Sequence, residues 1–335
     1  MIIDCHGHYT TAPPALQAFR DAQLAGDAPA RPEFSDDDIR ASVEHHQLRL
    51  MRERGGDVMI FSPKASAMGH HVTDAGGARV WAEVSNDLIH RVVGMFPDRF
   101  AGVCQLPQTP GGSLGTVVAE LRRCVEEMGF VGCNLSPDPS GGFWTSPPLT
   151  DRYWYPLYEA MIELDVPAMV HVSSSCNPAV HDLGAHYHNA DTTVFMQLIQ
   201  GDLFADFPSL RFVIPHGGGA APYHWGRYEG LSVRLGRPSL REHVMRNVFF
   251  DTAVYHQAGM DLLHRVVDTD NLLFASEMLG AVRGDNPEIG RSWDDTRAYL
   301  DRVDMPDADR AKIFSDNARR VYPRLAKILA SSPGA

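Results

Sequence analysis

The segment MIIDCHGHY, residues 1–9, is a short apolar run that ends in two histidines separated by one residue. Seven more short runs follow, and a stretch with helical periodicity comes after most of them. The eight predicted strands are Ile2–Cys5, Asp57–Phe61, Phe100–Cys104, Val131–Leu135, Ala168–Val172, Phe212–Pro215, Val248–Asp251 and Leu272–Ala275. Most runs are almost wholly apolar, which is typical of parallel strands covered on both faces. The alternation predicts an α/β fold, a (β/α)8 TIM barrel.

The length and the helical segments agree with this fold. A chain of 335 residues, 44% hydrophobic and 21% charged, fits one barrel domain over residues 1–335. One predicted helix starts at the acidic residues 36–38 and carries an apolar face through Leu50. Two others are Thr150–Leu164 and a closing helix, Asp307–Leu325. Barrels build their active-site face from the loops after strands, and the long Pro/Gly-rich loops of this kind are Ala12–Phe34, Ser136–Pro148 and Cys176–Ala190.

Charge and cysteine content exclude several classes of protein. The formal net charge of −12 argues against a nucleic-acid partner, because phosphate binding needs clustered Lys and Arg. No apolar stretch approaches the roughly 18 residues of a membrane helix. The five cysteines show no C-x-x-C spacing, so we expect no disulfide framework and a reducing, cytoplasmic location. A candidate metal motif by residue 8 argues against a cleaved signal peptide. A homodimer is compatible with the sequence.

Histidines lie at the ends of several predicted strands. His6 and His8 have the H-x-H spacing, which places both imidazoles on one side of a strand. His171 and His216 come at the ends of the fifth and sixth strands. Because the carboxyl ends of barrel strands face one mouth, these histidines are predicted to line a metal site. Each of them taken alone has a structural alternative, a hydrogen-bonded loop or core histidine.

Two carboxylates follow the last two strands. Asp251 ends the seventh strand and is interpreted equally well as catalytic or as a structural anchor. Glu277 lies just past the eighth strand, where a carboxylate needs a metal or a cation to offset its desolvation. Neutral imidazoles with a carboxylate suit Zn²⁺, and ligand types alone leave Mn²⁺ and Fe²⁺ open.

The motifs after the first, fifth and sixth strands are His6-Gly7-His8, His171 and His216-Gly217-Gly218-Gly219, with Pro222 and Arg227 beyond them. Together they resemble the amidohydrolase superfamily, and within it the metal-dependent decarboxylases and hydratases that act on carboxylated aromatic-ring fragments. The resemblance spans the whole chain. It implies that His6, His8 and His171 are metal ligands and that His216 lines the site near the metal.

The chain departs from that branch after the eighth strand. The sequence there is Phe274-Ala275-Ser276-Glu277, where the branch ordinarily carries aspartate. This feature makes the resemblance to hydratases stronger than that to decarboxylases. It implies a zinc site completed by Glu277 and the addition of water to a carbon–carbon double bond of a small unsaturated tricarboxylate. Either His216 or Glu277 would protonate the adjacent carbon.

A tricarboxylate substrate needs local positive charge and hydrogen-bond donors. The loops after strands supply candidate substrate-binding residues, which are Arg283, Lys64, Ser62, Tyr187, Asn189 and His71. Exposure without function is the alternative for each of them.

Three rival functions fit the same residues. The first is non-oxidative decarboxylation of an aromatic or muconate-type acid, and the second is hydrolysis of a lactone or an amide. The third is a non-catalytic metal-binding or ligand-sensing barrel. Glu277 in place of aspartate favours the hydratase, and the full set of candidate ligands speaks against a barrel that has lost activity.

Overall fold

Eight parallel strands form the barrel. The structure is a computed structural model, which describes residues 1–27, 29–181 and 186–330. The strands lie side by side in chain order. Their bounds are β1 Ile3–Tyr9, β2 Val58–Pro63, β3 Phe100–Gln105, β4 Gly132–Leu135, β5 Ala168–Val170, β6 Phe212–Ile214, β7 Val248–Asp251 and β8 Leu272–Leu273. The N–H of Cys5 donates to the Phe274 carbonyl at 2.9 Å, which joins β1 to the end of β8. The predicted TIM barrel is confirmed.

Helices connect the strands and cover the outside of the barrel. Their bounds are α1 Pro14–Leu24, α2 Asp36–Glu44, α3 Gln47–Arg54, α4 Ala75–Met95, α5 Leu114–Arg122, α6 Tyr155–Glu163, α7 Tyr187–Gln200, α8 Leu203–Asp206, α9 Trp225–Arg234, α10 Leu240–His243, α11 Gln257–Val266, α12 Thr296–Leu300, α13 Asp307–Ala311, α14 Asn317–Val321 and α15 Leu325–Ala330. A short antiparallel ribbon, β9 Asp285–Asn286 and β10 Arg291–Ser292, follows β8. Across the described part of the chain, no helix combines the length and apolar character needed to cross a membrane.

Alternate strand residues build two apolar layers. On β3, Ala101 and Val103 belong to the inner cluster, whereas Phe100 and Cys104 belong to the cluster between strands and helices. The last helices complete the inner cluster with buried residues, which are Ala318, Val321, Tyr322, Leu325 and Leu329. The opposite end of the barrel, where the strands finish, is left for the site.

A bulge in β1 sets the direction of the two N-terminal histidines. Asp4 pairs with Met59 on β2, but Gly7 pairs with Phe61, so β1 holds one extra residue between these pairs. Below the bulge Cys5 faces the inner cluster. The extra residue shifts the alternation, because His6 then also faces inward and His8 follows on the same side.

Several predicted elements differ from the structure. The helix expected through Leu50 is two helices, α2 and α3, separated at His45 and His46. The expected loop Ala12–Phe34 contains α1, and the expected loop Cys176–Ala190 gives way to α7 at Tyr187. Residues 182–185 of that loop lie outside the described residues. The predicted closing helix is divided by a π-helical turn at residues 312–316, and α14 ends before Tyr322.

Candidate active site

Four candidate ligands converge at the barrel mouth. The Nε2 atoms of His6 and His8 are 2.9 Å apart, and His8 Nε2 is 3.3 Å from His171 Nε2. With a carboxylate oxygen of Glu277, one ligand atom from each residue lies within 4.8 Å of all the others. Such separations suit donors that share one cation with bonds of about 2.0–2.2 Å.

Each of the three imidazoles uses Nδ1 for a hydrogen bond. His6 Nδ1 donates to Asp251 Oδ2 at 2.7 Å, and His171 Nδ1 donates to the Val172 carbonyl at 2.7 Å. His8 Nδ1 lies 2.7 Å from Ser62 Oγ, whose own hydrogen is directed to a backbone carbonyl. This arrangement fixes the tautomer and leaves the three Nε2 lone pairs for a ligand.

Burial favours the neutral form of His8 and His171. Together with the neighbouring imidazoles, it lowers the pKa of His8 well below its ordinary value and the pKa of His171 to about 3. Metal binding requires neutral histidine, so the lowered pKa values of His8 and His171 favour it. Three imidazole nitrogens and one carboxylate form a donor set that fits a divalent cation. The expectation of a metal site is therefore supported by geometry.

Glu277 and His216 lie side by side at the barrel mouth. Their closest atoms, Oε2 and Nε2, are 3.9 Å apart. Both residues have a left-handed backbone, with φ of 48° for Glu277 and 53° for His216. Non-glycine residues in this region are strained by about 1 kcal/mol or more, and such strain clusters at functional sites. Burial would raise the pKa of Glu277, but the contact with His216 outweighs it and holds that pKa well below its ordinary value.

The carboxylate of Asp191, on α7, forms a hydrogen bond with His216. His216 Nδ1 donates to Asp191 Oδ2 at 2.8 Å, and both side chains are buried. Burial alone would lower the pKa of His216, but Asp191 and Glu277 outweigh it and raise that pKa well above its ordinary value. The two carboxylates therefore favour the protonated form of His216, which lies beside the candidate ligands.

Asp251 lies behind the metal ligands. It is fully buried, and its Oδ1 accepts the N–H groups of Gly217 and Ala253 at 3.0 and 3.1 Å. Since its other oxygen binds His6, both carboxylate oxygens are used within the protein. These contacts favour an orienting role for Asp251 over contact with a substrate.

The contact of Asp251 with His6 leads to a prediction. Asp251→Asn should weaken the binding of a divalent metal by about 10- to 100-fold, because the amide no longer orients and polarises the imidazole as the carboxylate does. Competition with a chromogenic chelator would measure this affinity. Asp301→Asn, at an exposed helix end, is the control. An unchanged metal affinity in Asp251→Asn would contradict the orienting role.

A cleft of about 620 Å³ opens beside Glu277 and His216. Its volume is within the range of small-molecule sites, about 300–1,000 Å³. Tyr187 lines the cleft and packs on His216 with ring centroids 4.5 Å apart. Neither lysine nor arginine is among the described residues that line it.

The other predicted substrate-binding residues lie apart from this cleft. Lys64 and Asn189 are exposed. The exposed Arg283 donates to the Leu279 carbonyl at 2.5 Å. His71 is half-buried beside Gly141, and the hydroxyl of Ser62 is bound to His8. Of the six predicted residues, the structure brings Tyr187 against His216 and Ser62 against His8.

Two residues of the site were not predicted from the sequence. Tyr255 donates its hydroxyl to Glu277 Oε2 at 2.9 Å, and Asp191 binds His216. Tyr255 follows the seventh strand by four residues, so its position at a strand end was a usable signal. Asp191 lies within a helix, and nothing local in the sequence distinguishes it.

The loop after β6 depends on a glycine. Gly219 has φ of 61° and ψ of −125°, and a Cβ there would meet the His188 carbonyl at 2.6 Å. We expect Gly219→Ala to lower the free energy of unfolding by about 2–4 kcal/mol, as measured by urea denaturation. The control, Gly230→Ala, adds a Cβ to open space on α9 and should stabilise by about 0.5–1 kcal/mol. Equal stabilities would contradict the backbone argument.

Similar sequences and structures identify the family to which this chain belongs. The amidohydrolase family model matches residues 3–324. The chain belongs to the amidohydrolase family. This amidohydrolase is 59% identical to the 2-keto-4-carboxy-3-hexenedioate hydratase of Sphingobium sp. strain SYK-6, with 98% of each chain covered. Its fold is similar to that of the crystal structure of 4-oxalomesaconate hydratase from Rhodopseudomonas palustris, with a TM-score of 0.91. The two sequences are 52% identical, and the comparison covers 99% of this chain and 98% of the other.

A decarboxylase is a more distant relative. The gamma-resorcylate decarboxylase of Polaromonas sp. is 26% identical, over 84% of this amidohydrolase and 87% of that protein. The higher identity to hydratases confirms the expected resemblance to that branch and the prediction of a hydro-lyase.

Proposed function

We propose that this amidohydrolase is a zinc-dependent hydratase that converts 4-oxalomesaconate into 4-carboxy-4-hydroxy-2-oxoadipate, in the protocatechuate 4,5-cleavage pathway of aromatic catabolism. The observation that carries the proposal is the cluster of His6, His8, His171 and Glu277, in a chain 59% identical to a hydratase. The two hydratase relatives are named for keto acids that carry a double bond and additional carboxyl groups. The same substrate class is assigned here.

Zn²⁺ is the cation proposed for the four-residue cluster. Three imidazoles and one carboxylate are typical zinc donors, and a fully buried Asp251 behind His6 is a typical outer partner. When bound, zinc lowers the pKa of a water molecule towards ~7 and so supplies a nucleophile at neutral pH.

The protein's own residues then move two protons. Glu277 accepts a proton from water at its carboxylate, and the water oxygen bonds to one alkene carbon. His216 donates its Nε2 proton to the neighbouring carbon as the carbon–carbon π bond breaks. The 3.9 Å separation of Glu277 and His216 lets the proton return from the carboxylate to the imidazole, so the net change is the addition of one water.

Aromatic and polar side chains orient the substrate beside this pair. Tyr187 and Tyr255 flank His216 and Glu277, and the half-buried Tyr187 presents its ring to the cleft. Arg283, Lys64, Asn189 and His71 stay proposed carboxylate-binding residues, and none of them lines the cleft. Asp251 and Ser62 hold the imidazoles of His6 and His8.

Turnover of 4-oxalomesaconate tests the function. The zinc-loaded protein should bleach the ultraviolet absorbance of the conjugated substrate without releasing CO2, and mass spectrometry should find the product heavier by one water. Removing the metal with a chelator should stop the reaction, and added Zn²⁺ should restore it. Release of CO2, or bleaching that persists in the chelator-treated protein, would contradict the proposal.

A further inference from the structure

Asp4 is a buried acidic residue of β1 that points to the outer side of the barrel. It exposes 3% of its surface and lines a small cavity together with Met51 and Arg54 of α3. Its neighbours in the strand, Ile3 and Cys5, belong to the inner cluster, so the side chain between them faces the other way. Asp4 does not line the 620 Å³ cleft. Any effect of Asp4 on catalysis must therefore pass through other residues.

The Asp4 side chain binds two segments that carry candidate metal ligands. Its Oδ1 accepts the N–H of His6 and the N–H of Ser276, each at 3.1 Å. Its Oδ2 accepts the hydroxyl of Ser276, which exposes 2% of its surface. Asp4 thus joins the strand of His6 and His8 to the residue that precedes Glu277.

The bond to His6 lies within the bulge of β1. Asp4 pairs with Met59 and Gly7 with Phe61, so the N–H of His6 belongs to the irregular stretch between these pairs. A bulge disrupts the hydrogen bonds of the ladder locally, and here Asp4 accepts the N–H of the bulged segment. Because the bulge turns His6 inward, the Asp4 side chain supports the direction of that imidazole.

The bonds to Ser276 hold the turn that presents Glu277. Both residues lie beyond the end of β8. Ser276 Oγ also accepts the N–H of Met278 at 3.1 Å, so the chain of bonds that starts at Asp4 reaches both sides of Glu277. Glu277 and Leu279 have left-handed backbones, with φ of 48° and 61°. Such conformations persist only where the surrounding structure over-determines them.

We propose that Asp4 is a positioning residue that sets the spacing between the two histidines of β1 and Glu277. This inference rests on the proposed metal-dependent function. With one shared buried acceptor, the bulge and the turn shift together, so the ligand atoms from β1 and from the turn stay within reach of one cation. Hydrogen-bond partners that orient metal ligands affect metal affinity almost as the ligands themselves do.

Three variants and one control test this role. Asp4→Ala removes the shared acceptor, Asp4→Asn keeps one oxygen for the two N–H groups, and Ser276→Ala removes the hydroxyl. The control is Asn271→Ala, because the buried Asn271 donates to the carbonyls of Met245 and Val248 near the start of β7, at the opposite end of the barrel. For each protein we would measure Zn²⁺ affinity by chelator competition, the free energy of unfolding of the metal-free protein, and kcat and KM with 4-oxalomesaconate.

Asp4→Ala should weaken Zn²⁺ binding by about 10- to 100-fold and lower kcat at saturating Zn²⁺ by about 10-fold. KM should change little, because Asp4 does not line the cleft. Asp4→Asn should recover most of the affinity. In a Ser276→Ala background, Asp4→Ala should have a smaller effect than in the wild type, because part of its effect passes through that hydroxyl. Asn271→Ala should also lose stability, with Zn²⁺ affinity and kcat at wild-type values.

Wild-type Zn²⁺ affinity and kcat in Asp4→Ala would overturn the inference. An equal loss of affinity in Asn271→Ala would overturn it too, because the effect would then follow stability alone. If Asp4→Ala does not fold, Ser276→Ala decides: weaker Zn²⁺ binding than in Asn271→Ala supports the role of Asp4, and unchanged binding overturns it. Absent wild-type turnover with Zn²⁺ affinity still reduced in Asp4→Ala would overturn the proposed reaction and support the positioning role.

Discussion

His171→Ala is expected to lose its zinc and at least about 10³-fold of its turnover. The substitution removes one of three imidazole ligands and leaves an incomplete donor set at the barrel mouth. Without the cation, the pKa of the water returns from about 7 to its much higher value in bulk solvent, so hydroxide is scarce at neutral pH. Elemental analysis after gel filtration would measure zinc, and the absorbance assay would measure kcat.

His90→Ala is the matched control for this variant. His90 is exposed on α4, remote in the fold from the mouth, so its loss should change neither zinc content nor rate. A His171→Gln variant separates loss of the ligand from collapse of the site, because glutamine restores most of the lost side-chain volume without the imidazole. Full zinc occupancy together with wild-type kcat in His171→Ala would show that the assigned ligand set is wrong.

Glu277→Gln is expected to lower kcat by about 10²- to 10⁴-fold while much of the zinc is retained. The amide keeps the shape and one weak oxygen ligand, but it cannot accept a proton from water. It also removes the charge 3.9 Å from His216 Nε2. Steady-state kinetics would measure kcat and KM, and elemental analysis would separate loss of metal from loss of proton transfer.

An exposed glutamate provides the comparison for Glu277. Glu288→Gln, on the ribbon after β8, makes the same chemical change outside the cleft and should leave kcat unchanged. If Glu277→Gln turned over 4-oxalomesaconate at the wild-type rate, the carboxylate would have no part in proton transfer. Another titratable residue of the cleft would then have to accept the proton.

The barrel could be predicted because its strands are short apolar runs separated by longer helical segments. Elements whose signals conflict were harder to place. Pro13 and Pro14 made the start of α1 look like a loop, although proline is common in the first turn of a helix. The break between α2 and α3 was hidden because Ile39, Val43 and Leu50 keep one helical spacing across it. Apolar periodicity indicates which face of a helix is buried. It does not detect a break in the helix when the same face stays buried on both sides of the break.

The candidate ligands could be predicted for a similar reason, since strand ends of a barrel meet at one mouth. The supporting residues could not, because their partners are distant in sequence. Asp191 meets His216 only through the packing of α7 beside β6. Asp4 stands in an apolar run, where a charged residue was a usable signal of a buried contact, but its partner Ser276 is distant in sequence. Arg283 and Lys64 were chosen for their charge, and the structure leaves both exposed.

The supernumerary residue between Asp4 and Gly7 makes the direction of two side chains depend on one irregularity of the strand. With unbroken alternation from Ile3, both imidazoles would face outward among the helices. A one-residue slip of the N-terminal strand against its neighbour at this point is therefore equivalent to the loss of two candidate ligands at once.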